Sequence, residues 1–123
     1  MSTHLQLIEG GQVLDVQFDG LLSFSDRSEA LANVRPFLQR QPISRILVDF
    51  SDASINRNDK PGAAGEFTTE LARMPFPAGT SIAYVGAMRA AADPVEWVAN
   101  AIGLRVRRFY KREEALAWLM TLT

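Results

Sequence analysis

The chain has 123 residues, 47% of them hydrophobic and 22% charged, and its 13 basic and 14 acidic residues leave a net charge of -1. That size and balance fit one globular domain over residues 1–123 and do not form the strongly basic footprint of a nucleic-acid-binding domain. There is no cysteine and one histidine, His4, so disulfide scaffolds, thiol catalysis, Cys-based zinc sites and multi-His metal sites are excluded.

Residues 4–9 read as a strand and 13–18 as a second, with Leu14, Val16 and Phe18 on one side and Asp15, Gln17 and Asp19 on the other. Gly10-Gly11 between them supplies the positive φ of a tight hairpin, so the two strands should pair antiparallel. Gly20 is expected at a bulge or strand end. A helix should start near Ser25 or Asp26, with Asp26 as cap and Glu29 as the acidic third position. Leu31, Val34 and Leu38 share its inner face, and Pro36 predicts a kink or an early end. Residues 45–50 contain Ile46-Leu47-Val48, the pattern of a central strand covered on both faces. Residues 51–62 read as a long, polar, exposed and mobile loop.

A second helix is expected over about 63–74, with Phe67, Leu71 and Met74 inward, and Pro75-Phe76-Pro77 stops it. The longest uncharged run, 74–88, is broken by Pro75, Pro77 and Gly79, so no membrane span is expected. Residues 81–85 form another buried-type strand, ending at Gly86. Asp93-Pro94 starts a third helix and Gly103 ends it. Residues 106–110 are a last strand and 111–122 a last helix, with Ala115, Leu116, Leu119 and Leu122 inward. The start of the chain lacks a basic region followed by an apolar run, so no signal peptide and a cytoplasmic location are expected.

The order β-β-α-β-α-β-α-β-α implies an α/β fold with a mixed, mostly parallel sheet of five strands, flanking helices and an antiparallel edge hairpin. Three stretches then carry a family resemblance: Phe18-Asp19-Gly20-Leu21-Leu22-Ser23, Ile46-Leu47-Val48-Asp49-Phe50, and Phe109-Tyr110-Lys111-Arg112-Glu113-Glu114-Ala115-Leu116-Ala117-Trp118-Leu119. In this order they resemble the SpoIIAA-like family, which shares the STAS fold class and is grouped with SEC14-type lipid-binding modules. The resemblance implies a small non-enzymatic module that works by regulation, protein binding or small-ligand binding. It also implies a regulatory serine after the central strand. Ser54 is the matching hydroxyl, with Ala53 and Ile55 standing where the motif has Ser and Gly. Asp52, Arg57 and Lys60, in the same polar segment, complete the candidate binding or regulatory set.

Other chemistries fit poorly. Asp49, Asp52 and Asp59 follow the central strand, where carboxylates can hold Mg²⁺ or receive phosphate, but the acidic pair and lysine of a receiver domain are absent. Residues 57–65 join Lys60 to Gly62 and Gly65 without the spacing of a phosphate loop. No Gly-x-Ser-x-Gly elbow accompanies the lone histidine, so no catalytic residues and no metal or cofactor are assigned. Arg105, Arg107, Arg108, Lys111 and Arg112 form a basic run that suits a charged edge strand or an anion site. On the third helix, Val95, Val98, Ala99 and Ile102 should face the sheet. Trp97, Ala101 and Leu104 fall on the opposite side, either packed inside the monomer against the last helix or a loop, or forming a homodimer or partner interface. The expected function is a non-catalytic binding or regulatory module for a protein partner. The alternatives are a carrier of lipids or small apolar ligands and an enzyme using loop carboxylates.

Overall fold

The computed structural model, which describes residues 2–56, 59–86 and 94–121, opens on β1 (Ser2–Ile8) and β2 (Val13–Leu22). The two pair antiparallel from Ser2↔Asp19 to Ile8↔Val13. Their connection is a 3-10 turn at Glu9–Gly11, in which Glu9, Gly10 and Gly11 have φ of 52°, 67° and 87°. Glycine adopts that left-handed backbone without a Cβ clash, which is why the Gly10-Gly11 pair reverses the chain here.

Helix α1 (Phe24–Arg40) begins earlier than the Asp26 cap predicted. Ser23 is the cap: its Oγ accepts from Asp26 N at 3.0 Å, and Asp26 Oδ2 accepts from Ser23 N at 3.0 Å. Asp26 is therefore the third residue of a capping box, not the cap itself. Ser23→Ala should cost about 1 kcal/mol in urea denaturation. An unchanged midpoint would show that the box contributes nothing. Pro36 does not end α1, which continues to Arg40. Pro36 and Ala32, whose carbonyl loses its helical donor, are both exposed.

The remaining elements are β3 (Arg45–Ile55), α2 (Ala63–Ala72), β4 (Ser81–Val85), α3 (Pro94–Ala101), β5 (Arg105–Phe109) and α4 (Arg112–Thr121). The sheet order is β1-β2-β3-β4-β5, and β2 through β5 run parallel. This is the mixed, mostly parallel five-stranded sheet that the alternation predicted. The segment after Phe50 departs from expectation: residues 51–55 continue β3 instead of opening a loop.

The helices divide unevenly between the two faces. Leu14, Val16, Phe18, Ile46, Phe50, Ile82 and Tyr84 pack with residues of α1, α2 and α3 on one face. There Phe18 stacks on Phe50 at 5.3 Å and Phe50 meets Tyr84 edge-on at 5.4 Å. On the other face Val13, Leu47, Ala83 and Val85 pack with Ala115 and Leu119 of α4. The crossovers through α1, α2 and α3 all step the same way across the sheet, so right-handed connection places them on one side. The last helix follows the last strand with no crossover to make, and it closes the opposite side. It therefore does not sandwich α3, contrary to the sequence reading.

Within α3, Ala99 is buried as predicted, but Ile102 is exposed and Leu104 lies in the core. The helix ends at Ala101 and Gly103 turns the chain with φ 88°, so the 100° spacing no longer applies beyond it. Ala101 is exposed. The side chain of Trp97, like Asp93, Arg57 and Leu122, lies outside the described residues.

Candidate functional site

Strands β2 and β3 outrun their neighbours at the carboxyl end of the sheet. Pairing of β3 with β4 ends at Asp49↔Val85, whereas pairing of β2 with β3 continues to Leu22↔Ile55. Asn56 N then donates to Leu22 O at 2.8 Å and closes the arm. Within it Gln17 pairs with Asp49 but Asp19 pairs with Asp52, so β3 carries one extra residue, a bulge. The irregularity that Gly20 suggested thus falls just before it, on the neighbouring strand.

That bulge decides which side chains face out. Leu22 is buried in the helix-packed core and Ala53 packs against it. Alternation then turns Leu21, Asp19, Asp52 and Ser54 to the α4 face of the sheet, beyond the reach of α4's own core contacts. Leu21 is 55% exposed and sits directly opposite Ser54, which is also exposed. Asp52, two register pairs earlier opposite Asp19, is also exposed. Ser54 and Asp52 are strand residues, then, not loop residues as the polarity of this stretch predicted.

On the same face lies a charged cluster that sequence reasoning missed. Asp15 has no exposed surface, and Arg112, at the first position of α4, is 31% exposed. Arg112 Nη1 donates to Asp15 Oδ1 at 3.0 Å and to Asp49 Oδ2 at 3.1 Å, while Nη2 donates to Asp15 Oδ2. Gln6 and Gln17 donate to Asp15 Oδ2 at 3.1 and 2.8 Å. Asp49 Oδ1 accepts from Ser51 N at 2.9 Å, holding the chain at the bulge. Burial by itself raises the Asp15 carboxyl, but the hydrogen bonds from Arg112, Gln17 and Gln6 outweigh it and hold the group below its ordinary value. The hydrogen bond to Asp15 chiefly raises the Arg112 guanidinium. One signal was available: an arginine in the first turn of a helix opposes the helix dipole and calls for a carboxylate nearby.

The three acids weighed as a metal or phosphate site do not converge. Asp49 is taken up by Arg112 and Asp52 is exposed, whereas Asp59 Oδ1 accepts from Phe24 N at 2.9 Å and so serves the first turn of α1. Lys60 is exposed at the start of α2, with its carbonyl accepting from Ala63 N at 3.1 Å. Of the predicted set, the structure brings Asp52 and Ser54 together and places Lys60 elsewhere.

The helix-packed face holds a second missed feature. Arg27 is buried, its guanidinium 4.8 to 5.4 Å from the ring centres of Phe67, Phe24 and Phe50. It continues the Leu31, Val34, Leu38 stripe by one helical turn, so the periodicity could have found it. Beside it lies a cavity of about 60 Å³, lined by Val48, Phe76, Tyr84 and their neighbours. A cavity that takes benzene measures about 150 Å³. Among the described residues no helix is long and apolar enough to cross a membrane.

No family model matches the chain, and no curated protein matches it. Solved structures do. The anti-sigma factor antagonist SpoIIAA in its unphosphorylated form aligns with TM-score 0.59 at 12% identity, over 98% of this chain and 100% of that chain. An uncharacterized protein with a SpoIIAA-like fold from Shewanella loihica aligns with TM-score 0.58 at 14% identity, over 96% and 92%. The Bacillus cell fate determinant SpoIIAA in its phosphorylated form gives TM-score 0.56 at 11% identity, over 95% and 98%. At these identities the likeness is one of fold: the chain has the SpoIIAA, STAS-like fold that the sequence resemblance implied.

Proposed function

We propose that this chain is a non-catalytic, cytoplasmic regulatory module that binds a protein partner through the β2–β3 arm. Leu21 supplies the apolar contact and Ser54 the hydroxyl open to modification. The observation that carries this reading is a fold likeness spanning the whole of an anti-sigma factor antagonist. The arm supports it, because it extends beyond β4 and presents Leu21 and Ser54 side by side, both exposed and open to a partner. A phosphoryl group on Ser54 would bring about two negative charges to a face that already carries Asp19, Asp52 and Asp49. That change weakens an interface by like-charge repulsion.

The test uses the partner that co-purifies with the wild-type chain, with affinities then measured between purified components. Leu21→Asp and Ser54→Asp should each weaken binding by roughly tenfold or more. Both positions are exposed, so stability should stay within about 0.5 kcal/mol. Affinity unchanged in both variants would rule out the arm as the docking surface.

A further inference from the structure

Strand β5 is the sheet edge opposite β1, and among the described residues no strand pairs with its outer side. Two hydrogen bonds set its orientation. Arg105 N donates to Thr80 O at 2.9 Å, and Gly86 N donates to Phe109 O at 3.2 Å. Alternate residues therefore turn inward, and the amide and carbonyl of Val106 turn to the outer side.

The side chains along this edge are basic on both faces. Arg105 and Arg107 are exposed on the α4 face, and Arg108 points to the other face, 5.3 Å from the ring centre of Tyr84. Lys111 is exposed just beyond the strand. The guanidinium of Arg107 rests 5.3 Å over the ring of Phe109, which itself packs on Trp118 at 5.7 Å. Arg107 is thus ordered before any partner arrives. Arg112 is consumed by Asp15 and Asp49, but among the described residues Arg105, Arg107 and Lys111 have no carboxylate partner. The whole chain carries -1, so this strip is a local concentration of positive charge.

We propose that the outer edge of β5 is a docking site for an acidic, extended protein segment, which adds to the sheet as a further strand. The geometry selects this occupant. An added strand sends alternate side chains to the α4 face, where its acids can meet Arg105 and Arg107. A second copy of this chain fits badly, because β5 against β5 sets arginine opposite arginine. A lipid headgroup or free phosphate would use the charge but not the open main chain. The site is separate from the β2–β3 arm and does not depend on it.

The experiment titrates the full chain with a fluorescein-labelled peptide of about eight residues alternating Glu and Val, long enough to span one strand. Binding is expected, with slower hydrogen exchange at the Val106 amide. It should weaken roughly tenfold or more in Arg105→Glu/Arg107→Glu and fall as salt rises from about 50 to 300 mM. N-methylation of alternate peptide amides should weaken it by a similar factor, since that blocks the ladder. Equal binding of the methylated peptide or of a Lys-Val peptide overturns the proposal. So does unchanged affinity in the charge-reversed chain, or no protection at Val106. Preferential binding of phosphatidylserine vesicles or inorganic phosphate would assign the charge to those ligands and overturn it too. If the double variant loses its circular dichroism signal, Lys111→Glu together with exchange at Val106 decides the question.

Discussion

Replacing Arg112 with alanine should cost about 3–5 kcal/mol of folding stability, read by urea denaturation at neutral pH. The side chain is part-exposed, but its truncation leaves Asp15 ionised, without exposed surface, and held only by Gln6 and Gln17. Asp15→Asn in the same background removes the stranded charge, so the double variant should recover part of the loss. Acid should act on the same pair. The Asp15 carboxyl lies below its ordinary value of 3.8 in the folded chain. Its contribution is therefore fully present above that pH and is lost as pH falls through the lower, folded value. Wild-type stability should decline in that acid range, and Asp15→Asn should show a shallower decline. A variant Arg112→Ala within about 1 kcal/mol of wild type would mean that water already solvates the cluster.

The second large effect is expected at Gly86. A Cβ built there meets the backbone of β3 at 2.9 Å, at both Phe50 C and Ser51 N, and the residue has φ 118°. Both neighbours are main-chain atoms next to the bulge, so no side chain can rotate away. Gly86→Ala should cost roughly 2–5 kcal/mol, from backbone strain and overpacking together. Gly65 provides the contrast: it lies within α2, and nothing stands within 4 Å of the added methyl. Gly65→Ala should stabilise by up to about 1 kcal/mol. If the two variants melt alike, the close approach of Gly86 to β3 is not a constraint.

Strand β4 was legible to the residue, because an apolar run stands between Gly79-Thr80 and Gly86 and is buried at all of its positions. The hairpin and the mostly parallel, five-stranded character of the sheet were legible for similar reasons of periodicity and turn chemistry. The end of β3 was not. Ser51, Asp52 and Ser54 look like loop residues because they face water, and only their pairing with β2, set by the bulge, makes them a strand. The Ser23 cap was hidden because Ser25 and Asp26 offer the same chemistry two and three residues on. The Asp15–Arg112 pair was hidden for a stronger reason. Alternation puts Asp15 on the polar side of β2, and nothing local says that α4 will come to rest on that side.

The same ion pair sets a schedule for the chain during synthesis. Asp15 lies in the first hairpin, and its countercharge arrives 97 residues later. A nascent chain that has made β1 to β4 holds the carboxylate but not the guanidinium, and it also lacks Ala115 and Leu119 to cover Val13, Leu47, Ala83 and Val85. A chain cut short of residue 112 should therefore leave that face of the sheet uncovered and the Asp15 carboxylate without its guanidinium, an open surface for chaperones and proteases.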